Sequence, residues 1–264
     1  LCPTMQKAVI GIGEGANGKS VFVDIWKGLM PEGRTTSIPP QKMGQEYAMA
    51  YMSNSLLNVV NETPSSEIAH SEAVKAVITG DKVPARFIRQ GVFEFVPIAA
   101  QAFFCNDLPA FKDLSGGFAR RWIIVAFTRI FEEQEQVKGL AKIILSAEKG
   151  AIICKALKHA AVVLKRGNYA EPTSSRTVKA AWRADNDHVM LFVEERCGVV
   201  TENVKNNGTT PKRLFQTYRI WCTVNGYDTD TRIGFSKRLK RLKHKQVKSD
   251  GKRYWALALK DEDE

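Results

Sequence analysis

The sequence predicts an α/β fold: a doubly wound core sheet, then a helical segment, then a small C-terminal domain of helices and a β-hairpin. Three observations carry this. Short apolar runs at 8–12, 56–61, 98–105 and 122–127 alternate with stretches of helical spacing, as in a sheet buried on both faces. A glycine-rich turn, GEGANGKS over 13–20, stands between the first run and the first helix. Near the C-terminus two amphipathic helical stretches precede a pair of β-prone runs joined by a tight turn. With 264 residues, 44% of them apolar, the chain is long enough to bury one large core and a second small one.

The turn has the pattern glycine, four residues, glycine, lysine and serine. Gly13, Gly15 and Gly18 permit tight turns that aim backbone N–H groups at phosphate oxygens, and the following helix adds its dipole. In such a loop Lys19 meets the β- and γ-phosphates, and the Ser20 hydroxyl binds Mg²⁺. The helix runs to about Met30, and a loop rich in Pro, Gly, Ser and Thr follows to about residue 44. The strand at 56–61 ends in Asn61 and is followed by Glu62, a carboxylate placed where such sheets hold ligands. Glu62 can polarise an attacking water or reach the metal through one; an ordinary polar strand end is the alternative. Asn61 is a weaker metal ligand than a carboxylate, which leaves the metal mainly to Ser20 and the phosphates.

Residues 68–78 have helical spacing, with Ile68, Val74, Val77 and Ile78 forming a stripe that ends at Thr79, Gly80 and Asp81. The β-prone runs 83–88 and 92–96 flank Arg89-Gln90-Gly91 and read as a hairpin carrying Lys82, Arg86 and Arg89. The strand at 98–105 delivers Asn106, which suits a γ-phosphate contact or a plain turn. A glycine-containing loop at 114–118 leads to Arg120 and Arg121, at the start of the strand 122–127.

Residues 132–166 read as helices with apolar faces that pack beneath the sheet. A break at 168–173 precedes a helix over 174–197 and a polar connection over 198–210. The helix predicted over 211–225 starts with proline and buries Leu214, Phe215, Tyr218, Ile220, Trp221 and Cys222. The next, over 232–243, turns Ile233, Phe235, Leu239 and Leu242 inward and Lys237, Arg238, Lys240, Arg241 and Lys243 outward. A hairpin over 246–257, with Lys248 and Lys252 at its turn, completes a winged-helix pattern, and an acidic tail at 261–264 frays.

Net charge is +11, from 39 basic and 28 acidic residues. Between Arg232 and Arg253 stand ten basic residues (Arg232, Lys237, Arg238, Lys240, Arg241, Lys243, Lys245, Lys248, Lys252, Arg253) against Asp250 alone. So one-sided a stretch favours a polyanionic partner. No apolar run reaches the roughly 20 residues a bilayer span needs, so the expectation is a soluble cytoplasmic chain with no membrane partner. The five cysteines are scattered (Cys2, Cys105, Cys154, Cys197, Cys222), as are the four histidines. Reduced, mostly buried thiols and no protein-built zinc site are expected.

Taken together, GEGANGKS, VVNE, VKAVITGDKVPARFI with FEFVP, FFCNDLP and GGFARRWIIVAF resemble, in this order, the superfamily 3 helicases. The match is to their phage, plasmid and poxvirus-type primase-helicase branch. The resemblance spans nearly the whole chain and implies an AAA+-like P-loop ATPase core over 1–131, a helical segment packing on it over 132–200, and a winged-helix DNA-binding domain over 201–264. It implies ATP and Mg²⁺ as ligands, Asn17 in the nucleotide-binding loop with Lys19 and Ser20 at the phosphates, Glu62 activating water and Asn106 sensing the γ-phosphate. It also implies that Arg120 or Arg121 reaches a neighbour's ATP in a homo-oligomer, a hexameric ring translocating 3′ to 5′ on single-stranded and forked DNA. Lys82, Arg86 and Arg89 are the pore-hairpin candidates, and Lys237, Arg238, Lys240, Arg241, Lys248 and Lys252 the DNA contacts of the last domain. Such chains commonly carry a primase domain ahead of this point, so the sequence reads as a fragment from a phage or mobile element in a bacterial cell. Two other functions fit the motifs: an origin-melting initiator or loader without processive unwinding, and a non-enzymatic winged-helix module with structural nucleotide.

Overall fold

The computed structural model describes residues 3–111, 113 and 116–260. Cys2, part of the predicted loop at 114–118 and the acidic tail at 261–264 lie outside the described residues. The chain divides into two compact units, 1–182 and 183–264, so the 132–200 stretch is shared between them.

In the first unit the order is β1 (Ala8–Ile12), α1 (Lys19–Leu29), β2 (Thr35–Thr36), α2 (Glu46–Ala50), β3 (Leu57–Val60) and α3 (Ser71–Thr79). Then come β4 (Val83–Ala85), β5 (Phe93–Phe95), β6 (Ala100–Cys105), α4 (Gly116–Ala119), β7 (Trp122–Ala126), α5 (Leu140–Arg166) and α6 (Thr173–Asp185). Strands β2, β3, β6, β1 and β7 lie in that order in one sheet, and every neighbouring pair is parallel. This is the parallel α/β sheet that the sequence predicts.

Alternate strand residues feed two cores. Ile10, Val60, Phe103, Trp122 and Ile124 join Val74, Val77 and Ile78 of α3, together with Trp182, on one face. Leu57, Val59, Ala102 and Phe104 meet Val23 and Trp26 of α1 on the other. Strands covered on both faces read as near-continuous apolar runs, and for that reason they stand out in the sequence. The edge strand β7 is closed by a side chain: Ile124 N donates to the buried Ser175 Oγ at 2.8 Å.

Several elements differ from expectation. Ile68 precedes α3 rather than lying on it, and makes an isolated bridge to Phe111. The hairpin strands are three residues each, and Arg89 sits at φ 61° in the turn region. Helix α5 runs 27 residues and none is buried. Its first turns meet α1, where Leu145 lies against Gly28, while Leu157, Val162 and Leu164 are exposed.

The second unit contains α7 (His188–Arg196), β8 (Cys197–Val199), α8 (Val204–Asn207), α9 (Pro211–Val224), α10 (Arg232–Arg241), β9 (Gln246–Ser249), β10 (Lys252–Trp255) and β11 (Leu257–Leu259). Asp187 Oδ1 caps α7 by accepting from Met190 N at 3.2 Å. Thr210 and Thr231 cap α9 and α10 through their hydroxyls. The β9–β10 turn places Asp250 at φ 49° and Gly251 at φ 72°, the pair of positive dihedrals that a two-residue hairpin turn needs. Phe192, Leu214, Tyr218, Trp221, Phe235, Leu239 and Trp255 form the core. Ile220 and Ile233, expected inside, are 67% and 70% exposed; in so small a unit each helix buries only a narrow stripe. β11 pairs antiparallel with β8, a strand pair unmarked in the sequence.

Among the described residues no helix is long and apolar enough to cross a membrane. Cys105, Cys197 and Cys222 are buried free thiols, whereas Cys154 is exposed on α5.

Candidate functional site

The loop joining β1 to α1 depends on two glycines. Gly18 stands at φ 85°, which side chains rarely adopt, and a Cβ on Gly13 would lie 2.4 Å from both the Asn17 amide nitrogen and Phe127 O. Gly15 faces open space. Ala16 holds φ 55° without being glycine, a local strain of the kind that ligand-binding loops retain.

Lys19 opens α1 and is only 8% exposed. Its ammonium donates to Gly13 O, to Glu14 O at 2.7 Å and to Asn17 Oδ1 at 3.2 Å, so its three protons have three acceptors. An anion entering the loop would replace neutral carbonyls with charge-assisted partners, which are stronger. Asn17 ties the loop together. Its Oδ1 also accepts from Lys19 N at 3.3 Å, and its Nδ2 donates to Phe127 O at 3.2 Å just beyond β7.

Strand register brings the remaining predicted groups to the same edge. Ile12 pairs with Cys105 and Val60 with Phe103, so Gly13, Asn61 and Asn106 all leave from the carboxyl ends of adjacent strands, where open α/β sheets bind ligands. Asn61 Nδ2 donates to Ser20 Oγ at 3.4 Å, a tie across 41 residues that no spacing in the sequence signals. Lys19, Ser20, Asn61, Glu62, Cys105, Asn106 and Asp107 line one cleft of about 720 Å³, together with the apolar Phe22, Ile25, Phe131, Val137 and Leu140. That volume lies within the usual range for small-molecule sites. Cys105 is not a nucleophile here, because burial pushes its thiol up to about 11 despite the opposing charge of Lys19. Asp107 and the apolar lining were not singled out in the sequence, since apolar residues lining a cleft and apolar residues in a core have the same spacing.

Arg120 and Arg121 are not part of the cleft. They precede β7, which runs parallel to β1 with Ala8 opposite Trp122. They therefore lie at the amino end of the sheet, about 16 Å of strand from the loop at roughly 3.3 Å per residue. Arg120 is exposed, its carbonyl accepts from the Lys7 ammonium, and its guanidinium is 3.5 Å from Gln6 Oε1. Arg121 is half-buried and donates to Gly117 O.

Of the hairpin cations, Lys82 pairs with Glu94 at 3.2 Å. Arg86 donates to the Tyr47 hydroxyl at 2.7 Å, lies 4.8 Å from the centre of that ring and pairs with Glu46 at 3.8 Å. Arg89 is exposed at the tip, beside the exposed Ile88 and Val92. In the second unit Lys237, Lys240 and Arg241 are exposed along α10, and Lys248 and Lys252 along the hairpin. Arg238 differs from its neighbours: it turns inward to Asp187, whose side chain is 1% exposed, and joins α10 to the cap of α7.

A model described as a family of unknown function (DUF5906) matches residues 11–121, the stretch that holds the cleft residues from Gly15 to Asp107. No curated protein matches the chain. Among solved structures, the apo C-terminal region of NrS-1 (305–718) aligns with 97% of this chain and 68% of its own length, at TM-score 0.55 and 17% identity. Its A form aligns with 97% and 67%, at TM-score 0.49 and 15% identity. JCV helicase with a bound small molecule aligns with 72% and 56%, at TM-score 0.33 and 12% identity. The chain spans from 35% to 68% of the length of the NrS-1 chains it matches. The first of these likenesses shows that the chain shares the fold of the NrS-1 C-terminal region.

Proposed function

We propose that the chain is the motor part of an ATP-dependent DNA helicase. The observation that carries this reading is the convergence of Lys19, Ser20, Asn61, Glu62 and Asn106 on one cleft at the carboxyl edge of a parallel sheet. In this reading the loop amides and Lys19 hold the β- and γ-phosphates, Glu62 accepts the proton of the attacking water, and Asn106 contacts the γ-phosphate.

The residues present suit Mg²⁺. Among the described residues no three acidic, His or Cys side chains stand together as a metal cage, and magnesium carried on phosphates needs only one or two protein ligands. The Ser20 hydroxyl, positioned by Asn61, is one, and Glu62 is within the same cleft. Held there, Mg²⁺ would supply neutralisation of charge on the phosphate oxygens.

The distance between the arginine pair and its own subunit's loop supports a role in trans. Arg120 or Arg121 would complete the cleft of a neighbouring copy, consistent with a ring. The apolar surface exposed on α5 is a candidate subunit contact. Arg89 at the hairpin tip would meet the translocating strand, while Lys82 and Arg86 hold the hairpin in shape. The second unit, read as a winged helix, would grip duplex phosphates through Lys237, Lys240, Arg241, Lys248 and Lys252, with Arg238 holding α10 in place.

A forked duplex with a labelled strand tests the reading. Strand separation that requires ATP and Mg²⁺ is expected, and adenosine diphosphate should not replace ATP. Hydrolysis without strand separation would reassign the protein as a melting initiator or loader.

A further inference from the structure

Strand β7 is an edge of the sheet, and its amino end, where Arg120 and Arg121 stand, is held at three successive carbonyls. Arg121 O accepts from Ala8 N of β1 at 2.8 Å. The carbonyls on either side of it face the open edge, as alternate residues of a paired strand do, and both are taken by lysines. Arg120 O accepts from the Lys7 ammonium, and Trp122 O from that of Lys179 at 3.1 Å. Further along the same edge Ile124 N donates to Ser175 Oγ at 2.8 Å.

These donors share one counter-ion. Glu171, in the connection between α5 and α6, accepts on Oε1 from Lys179 Nζ and from Ser175 Oγ, the latter at 3.2 Å. The pair is largely shielded, with the Lys179 side chain 13% and that of Glu171 21% exposed. Burial pushes the Glu171 carboxyl up, but the Lys179 bond outweighs it and holds the group below the usual carboxylate range. Lys7 is half-buried; burial lowers its ammonium, Lys179 adds to that, and the Glu171 charge opposes both. Without Glu171 the two ammonium groups would repel each other with no carboxylate to offset them.

The two arginines leave this clamp differently. The Arg121 guanidinium donates to Gly117 O of its own chain. The Arg120 side chain is exposed, and its guanidinium lies 3.5 Å from Gln6 Oε1, the long limit of a hydrogen bond.

We infer that Glu171 is a positioning residue: through Lys179, Ser175 and Lys7 it fixes the start of β7 so that Arg120, with Arg121 turned inward, is presented to the nucleotide of a neighbouring copy. The inference rests on the reading above that the arginine pair acts in trans. Glu171 does not line the cleft of its own subunit, so it acts on turnover only through the arginine.

Mixed oligomers of the full chain test this. Glu171→Gln keeps the shape of the side chain and removes its charge. We expect it to turn over ATP roughly tenfold more slowly, with ATP affinity within about twofold of the natural value because its own phosphate loop is untouched. Mixed in equal amounts with Lys19→Ala, which keeps its arginines and loses its phosphate loop, it should regain turnover several-fold, since its loop then meets an intact arginine. Mixed with Arg120→Ala it should regain nothing. Lys7→Met, which frees only the Arg120 carbonyl, should behave likewise, and it carries the test if Glu171→Gln does not fold. Natural turnover in a folded Glu171→Gln, a matching loss of ATP affinity, or recovery with Arg120→Ala would overturn the role of Glu171. So would a failure to recover with Lys19→Ala under conditions where Arg120→Ala does recover with it, and the trans arrangement would then stand. Failure of Arg120→Ala and Lys19→Ala to restore each other would instead remove the trans reading on which the inference depends.

Discussion

Replacing Glu62 by glutamine is expected to lower ATP turnover by roughly 10²–10⁴-fold, the usual contribution of a positioned proton acceptor. Glu62 is exposed within the cleft and has no hydrogen-bond partner among the described residues, so the substitution removes a base without breaking a structural contact. Nucleotide affinity should therefore stay within about threefold of the natural value, because the loss falls on the transition state and not on the ground state. Single-turnover hydrolysis alongside equilibrium binding separates the two. Parallel losses of turnover and affinity would assign Glu62 to the metal or the phosphates instead.

Lys19→Ala is expected to act on binding itself. Lys19 stands in the loop with its ammonium ringed by Gly13 O, Glu14 O and Asn17 Oδ1, ready to exchange carbonyls for phosphate oxygens. Two such charge-assisted bonds at roughly 1.5 kcal/mol each correspond to about 100-fold in Kd. Titration with a non-hydrolysable triphosphate reads the effect directly. Because Lys19 also braces the loop itself, thermal unfolding of the variant serves as the control for folding. An unchanged affinity in a folded variant would place the phosphates elsewhere.

What the sequence makes legible follows from how local each signal is. The strands β1, β3 and β6 are visible because both of their faces are covered, so almost every residue is apolar, and the edge strand β7 shares the apolar run although Val125 is exposed. The turn at Asp250 and Gly251 is visible because its backbone requires particular residue types. The phosphate loop is visible for the same reason at Gly18. Contacts between distant segments leave no such mark. Asn61 reaches Ser20 across 41 residues and Arg238 reaches Asp187 across 51. On the helical wheel Arg238 looks like the outward lysines beside it, yet a buried carboxylate on another helix turns it inward. Ile220 and Ile233 fail in the opposite sense: each is apolar beside the buried stripe of its helix, and the unit is too small to cover it. The strand pair β8 and β11 joins residues 58 or more positions apart through three-residue segments, below the length at which alternation can be recognised. Arg120 and Arg121 were legible as a pair, while their distance from their own cleft is a property of strand direction.

The most direct test of a DNA-coupled nucleotide hydrolase is steady-state ATP hydrolysis measured with and without single-stranded DNA. Hydrolysis that depends on Mg²⁺ and rises several-fold when DNA is added is the predicted result. A folded, nucleotide-bound protein that hydrolyses nothing under either condition would contradict the account.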